Sequence, residues 1–117
     1  MKKWYIFFGI VLFLMASFYL YNFNLTHSEK TASQEAIKRK DPFICDGVLT
    51  WGDSDPGSAR AQCYADYALT YNDPDICGQA SWDYVRNKCF NKLVVVLNDV
   101  SLCSRVTGVF KSTCGYG

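Results

Sequence analysis

The stretch Arg60–Cys103, RAQCYADYALTYNDPDICGQASWDYVRNKCFNKLVVVLNDVSLC, decides the fold. It reads as one unit written twice with a period of 26 residues. Cys63-Tyr64 returns as Cys89-Phe90, and Asn72-Asp73-Pro74-Asp75-Ile76-Cys77 returns as Asn98-Asp99-Val100-Ser101-Leu102-Cys103. Arg60, three residues before Cys63, returns as Arg86 before Cys89. A partial first copy begins at Asp41-Pro42-Phe43-Ile44-Cys45, and a shortened last copy ends at Lys111-Ser112-Thr113-Cys114. Cysteines, aromatics and charges that share one register over a fixed period mark a repeat architecture.

The second copy serves as the template. Asp73-Pro74 starts a short helix, because Asp caps free N–H groups and Pro fits the first helical position. Cys77 lies on that helix, and Gly78 to Ser81 make a turn. A longer helix then runs from Asp83 to about Leu97, and Asn98 ends it as Asn72 ends the preceding one. Tyr64, Tyr67, Ala68 and Tyr71, matched by Phe90, Leu93, Val94 and Leu97, form one apolar helical face. Leu93 to Leu97 alone resembles a strand, since valine favours sheet. Its register with Tyr67–Tyr71 argues for helix. The first copy carries an insertion at about Gly52 to Gly57, whose Asp, Ser, Pro and Gly residues mark a loop. The predicted domain, 41–117, is therefore three α-hairpins side by side (about 41–72, 73–98 and 99–117), each with a short first arm and a longer second arm.

All six cysteines fall in residues 45–117, and an even count at that density predicts disulfides and an oxidising compartment. Six cysteines allow fifteen pairings. In a helical hairpin, residues about equally far from the turn face each other. That symmetry favours Cys45–Cys63, Cys77–Cys89 and Cys103–Cys114. The rival scheme, Cys63–Cys77 with Cys89–Cys103, is less symmetric and leaves Cys45 and Cys114 to meet at long range. Each favoured bond closes a short loop, worth roughly 3 kcal/mol through the unfolded state. A domain this small with short helices has a thin core, so such staples decide whether it folds.

Ahead of the domain, Met1-Lys2-Lys3 is followed by Trp4 to Tyr21, a run without charge. As a helix it covers roughly 27 Å, close to the hydrocarbon thickness of a bilayer. Trp4, Tyr5, Tyr19 and Tyr21 stand at its ends, where amphipathic rings favour the interface. The reading is an uncleaved transmembrane signal anchor over 4–22, with 1–3 as a cytoplasmic tip. A cleaved signal is the alternative, but Leu14 occupies a position where a cleavage site before Ser17 wants a small residue. Lys2 and Lys3 favour an internal N-terminus; Lys30, Lys38, Arg39 and Lys40 oppose it. The cysteines decide for N-in, with the domain outside, extracellular or periplasmic. Residues 23–40 read as a polar linker, in which Ser33–Lys40 forms a short helix or a tether. His27, the only histidine, and the sequon Asn24-Leu25-Thr26 sit there. Lys38-Arg39-Lys40 reads as a solvated linker face in preference to a headgroup contact.

The 117 residues carry a net charge of +1, unevenly spread. Residues 1–40 hold six Lys/Arg against two Glu, net +4; residues 41–117 hold six Lys/Arg against nine Asp, net −3. An acidic domain on a basic stem lacks the clustered basic face of a nucleic-acid binder. Zinc wants cysteines two to four apart or with histidine, and redox catalysis wants Cys-x-x-Cys; neither pattern is present. Asp53-Ser54-Asp55-Pro56-Gly57 opens like a calcium loop but lacks its third acid and closing Glu, so it reads as a polar loop before a helix capped near Asp55 or Ser58. Asp46, Asp53, Asp55, Asp66 and Asp83 read as solvent-facing carboxylates rather than an acid–base pair. No nucleophile has a histidine base. Arg60, Arg86 and Lys111 share one repeat position, read first as stems lying over a disulfide with the charge paired to an Asp, and second as a row of cations for a partner. Trp51 and Trp82 sit at equivalent turns and are the first candidates for a contact surface.

The pattern Asp-Pro-x-x-Cys, then Arg/Lys-x-x-Cys-Tyr/Phe, then Asn-Asp-Pro-x-x-Cys resembles cysteine-paired helical-hairpin repeats of membrane-anchored or secreted prokaryotic, notably archaeal, proteins. The resemblance covers residues 41–114 and implies a fold but no activity. Twin Cys-x9-Cys mitochondrial proteins are also similar, yet the spacings here, seventeen, eleven and ten intervening residues, depart from theirs. The expectation is an all-α, non-enzymatic, membrane-anchored module outside the cytoplasm, without cofactor or metal, that contacts a protein partner or serves as an accessory subunit. The alternatives are a secreted effector or inhibitor after cleavage, and a cell-envelope enzyme regulator. Intact mass of the protein from its native membrane tests this: Met1–Tyr21 should be retained and reduction should add a hydrogen per cysteine. A truncated mass sinks the anchor, and free thiols sink the compartment.

Overall fold

The computed structural model describes residues 2–28, 31–49 and 57–115. Its described elements are α-helices α1 (Lys2–His27), α2 (Ala32–Arg39), α3 (Ser58–Thr70) and α4 (Asp83–Leu97), with 3-10 segments η1 (Pro42–Gly47), η2 (Pro74–Gln79), η3 (Val100–Arg105) and η4 (Gly108–Phe110). No strand occurs among the described residues. α1 is long and apolar enough to cross a membrane, and none of its residues is buried.

One junction recurs three times. Each of α2, α3 and α4 runs out into a residue at positive φ: Lys40 (53°), Asn72 (50°) and Asn98 (52°). The aspartate that follows donates its N–H back across the last helical turn, Asp41 to Ala36 O, Asp73 to Ala68 O and Asp99 to Val94 O, at 3.0, 2.9 and 3.2 Å. This is a Schellman closure, which satisfies carbonyls that the helix end leaves bare. The three accepting residues are all buried. The same aspartates then cap the 3-10 segment ahead. Each side-chain Oδ1 accepts from the N–H two residues on, Phe43, Asp75 or Ser101, at 3.1 Å. Proline at 42 and 74 suits the first position of the segment. The first arms are thus 3-10 turns where α-helix was expected. A cap at each end of six residues leaves no room for the i→i−4 ladder to extend.

The cysteines pair as Cys45–Cys63, Cys77–Cys89 and Cys103–Cys114, with Cα separations of 5.5, 5.5 and 5.8 Å. Each ties a 3-10 segment to the chain that follows. For the first two that chain is α3 or α4. For the third it is a turn after η4, so the expected shortened helix is reduced to three residues of 3-10 and a turn. Two asparagines of α4 hold this ending. The buried Asn87 Oδ1 accepts from Thr107 N–H at 3.0 Å, and Asn91 Oδ1 accepts from Gly115 N–H at 2.7 Å.

Within the stretch read as a linker, residues 23–27 belong to α1 and residues 32–39 form α2. α2 buries Ala32 and Ala36 completely and packs on both α3 and η1. Its end carries the same Schellman closure as α3 and α4. Counting nine residues back from each left-handed residue gives Cys63 and Cys89, but Thr31, the N-cap, for α2. No earlier cysteine calls for a partner there, and Thr31 Oγ1 instead donates to Leu25 O at 2.8 Å.

The core is one cluster in which Tyr64, Val48, Val85, Leu93, Val106 and disulfide sulfurs are enclosed. Of the predicted apolar faces, Tyr64, Tyr67, Ala68, Phe90, Leu93 and Val94 are buried, while Tyr71 and Leu97 are exposed. Both lie in the last helical turn, where the neighbouring layer ends; Tyr71 Oη donates to Ile37 O at 2.7 Å.

Left-handed residues without a compatible side chain should cost stability. Asn72→Ala and Asn98→Ala are each expected to lose about 1–2 kcal/mol, and Lys40→Gly to gain about 1 kcal/mol. Urea midpoints of the three variants check this. A neutral Asn98→Ala would show that the closure tolerates any residue.

Candidate functional site

The repeated arginines have matching structural partners. Arg60 Nε donates to Val48 O at 2.9 Å, and Arg86 Nη1 donates to Ala80 O at 2.6 Å. Val48 and Ala80 each stand three residues beyond the first cysteine of their disulfide, as the C-cap of the 3-10 segment, and both are buried. The guanidinium group therefore closes the end of each turn one layer above the sulfur bridge. Arg86 also pairs with Asp83. Lys111, at the third copy of the position, is exposed. A charge directed at a backbone carbonyl is less open to a partner than a row of free cations would be.

Trp82 is exposed and its ring lies 5.3 Å from that of Tyr84, which in turn meets Phe110 edge-on at 5.2 Å. Trp51 lies outside the described residues, as do Asp53 and Asp55. Of the two residues read as a cap for α3, Ser58 is its first residue with Gly57 at the N-cap, and Asp55 lies outside the described residues. Tyr84 packs so closely on Gly57 that a methyl group there has no room.

The carboxylates are used singly. Asp46 accepts from Ser81 N–H at 3.4 Å, Asp66 accepts from Gln62 at 2.8 Å, and Asp75 pairs with Arg105, whose guanidinium sits 5.0 Å over the Phe90 ring. Among the described residues no group of three or more His, Cys, Asp or Glu is placed to hold a metal ion. Tyr64 is the most perturbed group. Burial pushes its phenol far above the usual tyrosine range, and the nearby carboxylates of Asp46 and Asp41 push the same way against Arg60. Its hydroxyl lies by Asp46 without a hydrogen bond of ordinary geometry. Burial also raises Tyr67, helped by Tyr71, Asp41 and Asp73.

The surface that sequence reasoning missed is a groove between α3 and α4. Ala65 and Leu69 form one wall and Val95 and Val96 the other, with Gln62, Lys88, Asn91 and Lys92 along its rim; the volume is about 280 Å³. Apolar side chains are also exposed across the junction of α4 and η3, where Val95, Val96, Leu97 and Val100 are 49, 62, 45 and 74% exposed. The signal was present in the unbroken run Leu93–Leu97. A helix buries one face, so five apolar residues in succession leave some outside. Compared with family models, curated proteins and solved structures, the chain matches none. The arrangement therefore has to be judged on its own chemistry: an apolar, partly basic-rimmed surface suited to binding.

Tyr64 supplies a test of the buried centre. The folded state holds the Tyr64 proton above pH 10, where the unfolded state releases it, so stability falls as pH rises past 10 by about 1.4 kcal/mol per pH unit for each such group. Tyr64→Phe is expected to flatten this alkaline loss and, by removing a buried hydroxyl without an ordinary partner, to leave neutral-pH stability equal or up to about 1 kcal/mol higher. Urea melts at neutral and alkaline pH read both. An unchanged alkaline slope in the variant would overturn the assignment.

Proposed function

We propose that this chain is a membrane-anchored interaction module, with α1 in the bilayer, the disulfide domain outside the cytoplasm, and the apolar end of α4 as the surface that meets a protein partner. In this reading the domain is a stack of three hairpin units whose last is cut short, leaving α4 without a full neighbouring helix. The single observation that carries the proposal is the exposed apolar set Val95, Val96, Leu97 and Val100, of which Val95 and Val96 line the α3–α4 groove. Scattered apolar residues are normal on a surface, but a contiguous set beside a groove marks an interaction site. The scaffold supports the role: two disulfides and two arginine-to-carbonyl bonds brace η1 against α3 and η2 against α4, so the surface needs little ordering on binding. The disulfides support the outside location, since they persist in oxidising compartments. Lys2 and Lys3 support an internal N-terminus.

The test places a photo-crosslinking phenylalanine at Val96 or, as a control, at Lys111, in the full chain in its native membrane. One discrete adduct is expected from position 96, none from 111, and its loss on adding Val100→Asp with the disulfides intact by mass. No adduct at 96, or equal labelling at both positions, would sink the proposal.

A further inference from the structure

The end of α1 is built into the domain. Leu49 N–H donates to His27 O at 3.0 Å, and Thr31 and Ala32 N–H donate to Ser28 O at 3.2 and 2.9 Å. The His27 ring stacks on Phe23 at 3.9 Å, and its Nε2 lies 3.4 Å from where a side chain on Gly47 would begin. The domain thus has a set height above the uncharged run of α1. His27 lies six residues past Tyr21, roughly 9 Å along the helix, while the headgroup layer is about 5–8 Å deep on each side. The hydrogen bond to His27 O holds Leu49 level with that end of α1.

The order of layers is set by packing. α1 packs on α2 and η1, these on α3, and α3 on α4. The longest dimension of the molecule is 70 Å. α1 accounts for roughly 39 Å of it, and the remainder matches three helices packed about 8–10 Å apart. α2 and η1 are therefore the layer next to the bilayer. Ala32 and Ala36 turn toward the core, so the opposite face of α2 carries Gln34 and Lys38, both exposed. The acids of this layer are engaged elsewhere: Asp46 bonds to Ser81, Glu35 to Arg39 at 3.0 Å, and Asp41 caps η1. Lys38 and Lys40 are exposed, and Phe43 and Leu49 are about half exposed.

We propose that the α2/η1 layer lies flat on the bilayer that α1 enters and binds anionic headgroups through Lys38 and Lys40, with Phe43 and Leu49 seated among them. The inference rests on α1 being a membrane span. Basic residues at a membrane surface each contribute about 1 kcal/mol toward anionic lipid, and exposed aromatic and aliphatic side chains add to that. The rest of the domain, residues 50–117, holds six Lys/Arg against seven Asp, net −1, and so offers no net positive charge to the same surface, which favours the layer order described.

The experiment uses the full chain in nanodiscs of phosphatidylcholine with or without phosphatidylglycerol, carrying a trace of lipid with a paramagnetic headgroup. Amide signals of residues 34–49 are expected to broaden, and those of 83–97 are not. Anionic lipid should also slow amide exchange at 43–49, and Lys38→Gln should reverse about fivefold of that slowing. Equal broadening across the domain, or exchange that ignores lipid charge, overturns the proposal. Exchange protection of residues 4–21 is read in the same sample. If that run is unprotected, the anchor itself fails; if it is protected while 34–49 shows no contact, only the present inference fails.

Discussion

Six-residue turns have almost no stability of their own, because a 3-10 segment makes few hydrogen bonds and eclipses its side chains. Here three such turns supply half of the cysteines and several core contacts, and each is held by a disulfide to the chain that follows. The sulfur bridge is the constraint on which everything else depends. It fixes the turn against its partner, brings Val48, Ala80 and Val106 into the core, and lets Arg60 and Arg86 reach the carbonyls at the ends of η1 and η2. Without it, the loss of chain entropy on ordering these turns would exceed what their small buried surfaces return.

The bridges act together with the helix ends. A left-handed residue and a capping aspartate turn each helix directly into the next 3-10 segment, so one residue pair serves two elements. Asparagine is suited to this position because its short polar side chain tolerates positive φ. Lys40 occupies the same conformation at some strain, and its charge is thereby placed at the start of η1. α2, joined to η1 in this way, transmits the position of α1 into the stack. Among the described residues α1 packs on α2 and η1 and accepts a hydrogen bond from Leu49 at His27 O, whereas a polar tether would have left helix and domain independent.

The same logic explains the exposed face. Among the described residues α3 is covered by α2 and η1 and by α4. There α4 is followed by η3, η4 and a turn, which Asn87 and Asn91 pin in place. Val94 is covered, while Val95, Val96 and Val100 are left outside. The helix bearing this apolar surface is tied to η2 by the Cys77–Cys89 bond.

Much of the architecture was legible in the chain itself. The 26-residue period, the Asp-Pro caps, the terminating asparagines and the cysteine spacing around the turns are local signals, and the observed helices, caps and sulfur pairs follow from them because each depends on residues near in sequence. The apolar run Trp4–Tyr21 likewise announced a long exposed helix. What no local signal carried was the neighbourhood of each side chain. Arg60 and Arg86 read first as charges paired to an aspartate, and Arg86 does meet Asp83; only the fold brings both guanidinium groups to the Val48 and Ala80 carbonyls. Residues 32–39 looked like part of a linker, because two alanines do not announce burial until α3 lies across them. Leu97 looked like core and is surface, since the period of a helix says which residues share a face but not whether another layer covers it. Coverage is a property of the stack, decided by where distant segments pack, and so it belongs to the tertiary structure alone.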